Sequence, residues 1–470
     1  MNALEDTRIE GLQVGAEASA PILHPRALAS RALSWLPAVG RFPVVWLPAY
    51  AVLAADSSHF GRGVVIATVV SLAWFFPLRL AFGAGRLTMH AGGIGMASLV
   101  GSLLGLVLAS GLGLWIPSLG LNPLRLLEVA GAICVLSAAW ERLVRDAVVL
   151  DRRVLVVGAN DGGSELIEEL ALVKDAPYTV IGVVDDERDT DTVAGAPLLG
   201  RTADLPEVIE RERPDLVVLA VAQNRLDTFT RLLSVATAGF RVAELPQFYE
   251  QAFGRVPVRR LTAAWFMSVL HLYQRPYTRF AKRSFDVVVA GFGLILTAPL
   301  FPLLALLVKA TDGPLIFSQT RLGEGGRLFT IFKFRTMRHG AEEPGQPLWA
   351  EERDPRVTSV GRLMRRTRLD ELPQLWNVLR GEMSIVGPRP ERPEFVELLE
   401  DTVPYWNRRH LVKPGITGWA QVSCGYSADA EGTVEKLSYD LWYLRHRSLA
   451  VDLGICGKTL RALLTGAGAR

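Results

Sequence analysis

At 470 residues, half of them hydrophobic and with a mean hydropathy of +0.24, the chain is too long for one ordinary compact domain and too apolar for a fully soluble one. Lys plus Arg total 51 against 48 Asp plus Glu, a net charge of +3 that excludes a wholesale nucleic-acid footprint. Cys134, Cys424 and Cys456 are scattered, odd in number and without metal-ligand spacing, which excludes a disulfide scaffold and a zinc site and fits a reducing compartment.

Residues 1–32 carry Glu5, Asp6, Glu10 and Glu17 with no apolar core, so they read as a cytoplasmic tail and not as a signal peptide. Residues 33–150 hold four apolar stretches, near 33–55, 63–82, 92–116 and 126–148, each approaching the roughly 20 residues a helix needs to cross hydrocarbon. Four transmembrane helices are therefore expected. Arg41 with Pro37, Pro43 and Pro48 weakens the first, and Glu128, Glu141 and Arg142 weaken the fourth. Arginines gather before the first span, after the second and after the fourth, which predicts both ends of the region on the cytoplasmic side.

Residues 151–245 open with RRVLVVGANDGGSELIEELALV and continue through YTVIGVVDD and DLVVLAV, a βαβ pattern that predicts a Rossmann-like α/β domain. Asn160 stands where a dinucleotide fingerprint needs its second glycine, and Asp185 and Asp186 end the second strand either as ribose ligands or as solvated surface. Residues 246–277 form a linker whose aromatics and arginines, including Trp265, Phe266, Tyr273, Arg275 and Tyr277, suit a membrane interface or an ordinary packed connection.

Val287–Val308 is a 22-residue run without a charge, long enough for a fifth span. Pro299 and Pro302 lie within it, however, and a full crossing would export the most arginine- and aspartate-rich part of the chain. A helix bent at Pro299 that enters and leaves by one face is expected, with other helices packed beneath the bend.

Beyond it, carboxylates recur beside arginines. In RRTRLDELPQLWNVL, Arg365, Arg366 and Arg368 precede Asp370 and Glu371, and Pro373 suggests that the acids occupy a first helical turn. A carboxylate attacking phosphorus needs cations on the phosphate oxygens, and an adjacent acid pair can divide the work between nucleophile and magnesium ligand. Taken alone, such a pair more often serves as a helix cap.

Several separate motifs settle that choice. They are Lys282, Arg283, Phe285 and Asp286, then Pro299, Gly313 and Pro314, Gln319, Arg321 and Gly323. KFRTM (333–337), DPRVT (354–358), LDELPQLWNVLRG (369–381), SIVGPRP (384–390) and KPGITGWAQV (413–422) complete the set. In these motifs residues 278–470 resemble the bacterial sugar transferases, the monotopic polyprenyl-phosphate phosphoglycosyl transferases. The resemblance implies a mainly α catalytic domain on the cytoplasmic face of the bacterial inner membrane. It also implies a covalent phosphosugar on Asp370, formed from a UDP-sugar with loss of UMP and passed to undecaprenyl phosphate.

By the same resemblance Glu371 ligates Mg2+, Arg389 binds the nucleotide or its phosphates, and Lys282 and Arg283 suit the phosphate headgroup of the lipid. The family's bend is a Ser-Pro pair, where this chain has Ala298. Glucose is the first sugar expected, initiation of exopolysaccharide or O-antigen units the expected pathway step, and a homodimer the plausible assembly.

Weaker expectations follow from single residues. Lys333 and Arg335 either steer phosphates or form a solvated face, and Arg365 and Arg368 join the phosphate-binding set. Pro388 and Pro390 hold Arg389 in a rigid turn, with a cis bond one option. Trp419 and Gln421 stand in a sugar or uracil wall, or the tryptophan belongs to the core. His410 has no evident catalytic partner. EKLSYDLWYLRHRSLAVDL reads as an amphipathic segment at the interface. Two rival functions are a membrane-anchored NAD-dependent nucleotide-sugar dehydratase or epimerase, which needs an intact glycine fingerprint and a Tyr-x-x-x-Lys pair, and a non-enzymatic nucleotide sensor in polysaccharide export.

Overall fold

The structure is a computed structural model describing residues 40–53, 60–83, 91–148, 152–173, 177–188, 190–220, 225–235, 239–261, 265–269, 276–311, 313–338, 340–341, 354–424 and 430–465. The expected tail at 1–32, and Tyr273 and Arg275 of the linker, lie outside these residues. Contacts divide the described chain into two compact units, one containing Val148–Leu245 and the other Leu36–Ala147 with Pro246–Arg470.

In the larger unit, helices α1 (Arg41–Leu53), α2 (Phe60–Gly83), α3 (Ala91–Trp115) and α4 (Pro123–Val148) occupy the first apolar region. The last three are long and apolar enough to cross a membrane, and the protein is membrane-associated. The 13 residues of α1 reach only about 20 Å. Helices α2 and α3 approach closely because Gly101 and Gly105 lie one turn apart on α3. A Cβ at Gly105 would sit 2.1 Å from the Trp74 ring, and the Trp74 indole donates to the Ser102 carbonyl at 3.0 Å. The charges that weaken the first and fourth stretches are partners: the Arg41 guanidinium pairs with the Glu141 carboxylate, joining α1 to α4.

The smaller unit carries a six-stranded sheet in the order β3-β4-β2-β1-β5-β6, made of β1 (Arg152–Val157), β2 (Tyr178–Val184), β3 (Thr192–Val193), β4 (Ala196–Gly200), β5 (Leu216–Leu219) and β6 (Arg241–Glu244). All pairings are parallel except β3 with β4, and the inner strands are buried runs of valine and leucine, as the βαβ pattern predicts. Between β1 and β2 lies α5 (Asp161–Leu172), whose Gly163 packs so tightly that a Cβ there would lie 2.0 Å from the Gly158 carbonyl oxygen. Gly163→Ala is accordingly expected to cost about 1–3 kcal/mol and to lower the unfolding temperature of this unit, followed by limited proteolysis on heating; an unchanged profile refutes the packing argument.

Returning to the larger unit, α9 (Pro276–Thr297) and α10 (Leu300–Lys309), which follow α6 (Leu205–Glu212), α7 (Arg225–Ser234) and α8 (Leu245–Ala252), contain the charge-free run and meet at a bend of 67°. Pro299 has no N–H for the preceding turn, and the chain tightens there through a bond from Phe301 N to the Ala298 carbonyl at 3.2 Å. The hydroxyl missing at Ala298 is supplied one residue earlier, where Thr297 Oγ1 donates to the Gly293 carbonyl at 2.7 Å.

A hairpin, β7 (Ile316–Leu322) with β8 (Leu328–Phe334), leads to α11 (Ser359–Arg366) and α12 (Gln374–Arg380). Helix α12 packs on α9 and α11 on α10. A parallel pair, β9 (Ser384–Val386) and β10 (Gly415–Thr417), brackets α13 (Pro393–Glu400), and α14 (Trp419–Ser423), α15 (Ala430–His446) and α16 (Leu449–Thr465) close the domain, α16 packing also on α2 and α3. The stretch EKLSYDLWYLRHRSLAVDL is two helices broken at Arg447, and α15 buries Leu437, Asp440, Leu441, Trp442, Tyr443 and Leu444 inside the core. Apolar side chains that appear to make one face are joined by buried polar ones, Asp440 and Tyr443, that find partners, so the helix is enclosed and not interfacial.

Candidate active site

Asp370 and Glu371 sit in a single 3-10 turn, Leu369–Glu371, that precedes α12 and is separated from it by Pro373. They are therefore not in the first turn of the α-helix, as Pro373 had suggested. Arg368, two residues before Asp370, takes a left-handed backbone, φ 57°, which breaks the chain away from α11 and opens the turn that carries the acids. The charge compensation comes from side chains and not from a helix end.

Glu371 Oε1 receives Arg389 Nη2 at 3.4 Å and Lys333 Nζ at 3.5 Å, while Arg368 Nη1 lies 3.8 Å from Oε2. Burial alone would raise the Glu371 carboxyl, but the charges of Lys333, Arg389 and Arg368 outweigh it and bring the group down to about 2. Asp370, only 7% exposed, goes the other way: burial, then the adjacent Glu371 charge, push it up to about 6 against the pull of Lys333, Arg365 and Arg389. Burial also lowers the Lys333 ammonium to about 8. Two neighbouring carboxylates thus differ in character, one firmly ionised and paired, the other destabilised as an anion and without a direct ion pair among the described residues.

The turn carrying Arg389 is held from three sides. Gly415 N donates to the Pro388 carbonyl at 2.8 Å, Arg409 Nη2 to the Arg389 carbonyl at 3.3 Å and Arg321 Nη1 to the Pro390 carbonyl at 3.2 Å. Arg409 is anchored in turn by Asp440 at 2.7 Å and Glu391 at 3.3 Å. Gly387 and Gly415 cross so closely that a Cβ on Gly415 would stand 2.1 Å from Gly387 N. Every described peptide bond is trans, so the rigidity at Pro388 and Pro390 needs no cis bond.

Other expected site residues lie elsewhere or are committed otherwise. Arg365 Nε donates to Thr336 Oγ1 at 2.9 Å while its charge acts on Asp370. Arg335 is neither a phosphate steerer nor solvated. It is buried, giving hydrogen bonds to the carbonyls of Pro314, Met337, Val308 and Thr311; it stands one residue past the end of β8, so the strand no longer holds it on the face from which Lys333 meets Glu371. Lys282 Nζ is held by Asp452 at 2.6 Å and Asp286 at 3.3 Å, and Arg283 donates to the Val378 and Leu379 carbonyls at 2.6 Å each. These bonds fix α9 to α12 and α16; Lys282 is ion-paired there, whereas the bonds of Arg283 are to backbone carbonyls and leave its charge without a carboxylate among the described residues.

Trp419 is a core residue, stacked on Trp442 with its indole bonded to the Gly254 carbonyl. No contact among the described residues joins Gln421 to the acid pair. Burial, helped by the Arg409 charge, lowers His410 to about 4, leaving it neutral and unsuited to acid-base work. Sequence reading gave no role to Gln374, Asn377 or Arg409. The first two fall within the quoted LDELPQLWNVLRG motif, and the signal for Gln374 is its place three residues after Glu371.

An acid pair of this kind inside these motifs matches known proteins. The family described as bacterial sugar transferase covers residues 277–466. The exopolysaccharide production protein ExoY of Sinorhizobium fredii is 39% identical over 225 residues, 45% of this chain and 97% of that protein. The chain belongs to the bacterial sugar transferase family. Longer relatives match too. UDP-N-acetylgalactosamine-undecaprenyl-phosphate N-acetylgalactosaminephosphotransferase of Aeromonas hydrophila is 42% identical over 51% of this chain and 56% of its own length. Undecaprenyl-phosphate glucose phosphotransferase of Komagataeibacter xylinus is 32% identical over 66% of this chain and 59% of its own. The chain thus spans a little over half the length of these two.

A second family description, CoA-binding domain, covers residues 126–243. The turn after β1 does not fit such a ligand. The amides of Gly162 and Gly163 are taken by Asn160 Oδ1, Ala159 N by the Asp185 carboxylate, and Asn160 Nδ2 closes on the Ala220 carbonyl at 2.6 Å. The N–H groups that a pyrophosphate needs already have partners, and the ribose-ligand reading of Asp185 fails with them. Neither the fingerprint nor a Tyr-x-x-x-Lys pair supports the dehydratase or epimerase alternative.

Proposed function

We propose that the chain transfers hexose 1-phosphate from a UDP-sugar to undecaprenyl phosphate, releasing UMP and forming an undecaprenyl-diphosphate sugar. The pairing of an ion-paired Glu371 with an unpaired, buried Asp370 supports this reading most strongly. An Asp370 oxygen bonds to the β-phosphorus as the bond to the UMP oxygen breaks, and the UMP departs with its electron pair. The phosphate of the lipid then attacks the same phosphorus and restores the carboxylate. Lys333 and Arg389 stabilise charge on the phosphate oxygens, and Arg368 and Arg365 keep the surrounding field positive. UDP-glucose is the proposed donor; the K. xylinus relative, named for glucose, supports it by matching over 327 residues, 66% of this chain.

Mg2+ is the proposed cofactor. It takes one or two carboxylates with substrate phosphates completing its shell, and Glu371, beside the nucleophile Asp370, offers one. When bound, it adds neutralisation of phosphate charge. We also place four helices, α1–α4, across the inner membrane, and read the 67° bend at Pro299 as a re-entrant hairpin. Exposed apolar side chains on both arms, such as Phe292, Ile295 and Leu306, support lipid contact, and the catalytic domain is then cytoplasmic. Initiation of exopolysaccharide or O-antigen units is the proposed role.

The test is UMP release by purified protein with Mg2+ over a panel of UDP-glucose, UDP-galactose and UDP-N-acetylgalactosamine, with and without undecaprenyl phosphate. Release with UDP-glucose above the others, and its loss in EDTA, is expected. No release from any donor returns the chain to the non-enzymatic sensor reading.

A further inference from the structure

We propose that the small cavity lined by Arg321, Lys333, Gln374 and Arg389 is a seat for one phosphate oxygen, with the Gln374 amide donating a hydrogen bond to it. The inference rests on the reading that this site handles phosphates, and adds a binding residue to it. Gln374 is 2% exposed, its side chain forms part of the cavity wall, and its Nε2 has no hydrogen-bond partner among the described residues. A buried amide left without a partner costs about 1–3 kcal/mol, so its persistence beside a cavity calls for an occupant.

Size and charge define that occupant. The cavity, about 10 Å³, admits one water-sized group and no more, which excludes a sugar ring or a uracil. Its rim supplies three cations against the nearby carboxylate of Glu371. Lys333 and Arg389 meet Glu371 at 3.5 and 3.4 Å, well beyond the roughly 2.7–2.9 Å of a tight charge-assisted bond, so both keep donors to offer. Ile331, Ile416, Pro390 and Gly415 line the remainder and leave an oxygen there poorly hydrated. A phosphate oxygen meets all these conditions. It could belong to the donor nucleotide or to the carrier lipid, since both present the same chemistry.

Full-length protein in lipid nanodiscs, as wild type, Gln374→Leu and Gln374→Met, separates the possibilities. Titration with inorganic phosphate should give an affinity about 10- to 100-fold weaker in both variants, the loss of one hydrogen bond to a charged group. Of the two half-reactions, UMP release without lipid should show the raised KM if the donor phosphate uses the seat. Transfer from pre-labelled enzyme to undecaprenyl phosphate should show it if the lipid does. Thermal unfolding identifies a variant that fails to fold, and the longer, unbranched Gln374→Met then carries the comparison. Wild-type phosphate affinity in a folded variant overturns the seat, leaving the cavity to a water molecule, whether or not UMP is released. Absence of UMP release by the wild type, with phosphate affinity still dependent on Gln374, overturns the transfer reading and keeps the seat.

Discussion

Asp370→Asn is expected to lower UMP release by at least about 10³-fold and to abolish radiolabelling of the protein by a UDP-sugar carrying β-³²P, because the amide is a near-isostere without a nucleophilic oxygen. Stability should move the other way. A carboxyl raised to about 6 by burial, and then by Glu371, carries at neutral pH a charge that weighs against the folded state. The sign follows from the raised value: the folded chain holds this proton more tightly than the unfolded one, so the penalty is fully present above about 6 and fades as pH falls toward 4. The neutral variant lacks that penalty and should unfold, in EDTA at pH 7.5, no earlier than wild type. Full transfer activity in Asp370→Asn refutes the nucleophile assignment. A lowered unfolding temperature would assign its loss of activity to misfolding.

The second large effect is on folding. Arg335→Ala should cost at least about 3 kcal/mol, because four carbonyls from the end of α10 and the loops beside the hairpin lose one planar donor and remain buried. Arg335→Lys should rescue little, since a single ammonium cannot reach acceptors spread around a fork. Thermal unfolding followed by tryptophan fluorescence checks both. An Arg335→Ala protein with wild-type unfolding but impaired phosphate binding would restore the steering role.

The contrast between Lys333 and Arg335 shows what the chain alone could and could not disclose. Their spacing of two, which on a strand puts both side chains on one face, was readable, yet the strand ends at Phe334 and the direction Arg335 takes beyond that end is a tertiary fact. The acid pair, the arginine between two prolines and the bend at Pro299 were legible because each rests on local chemistry: adjacent charges, fixed φ, a missing N–H. The partners that hold Lys282 and Arg283, Asp452 and the carbonyls of α12, were not legible because they lie far along the chain. The amphipathic reading of α15 failed for the same reason, since the partners of Asp440 and Tyr443 are remote in sequence. Thr297 in place of the absent serine, and Asn160 as its own helix's cap, emerged only once backbone geometry was in view.

Asn377 is fully buried, accepting from Phe332 N at 3.2 Å and donating to the Thr330 carbonyl at 2.7 Å and the Glu382 carboxylate at 2.8 Å. It thereby stitches the strand of Lys333 to the helix that follows Glu371. A cation and an anion on separate elements would ordinarily drift with every flexing of the hairpin, and their field would have to be rebuilt around each arriving reactant. One amide, bonded on both sides, keeps the two at a constant interval while the rest of the domain breathes. The electrostatic template is then finished before any reactant reaches it, and little reorientation is left for the moment of bond exchange.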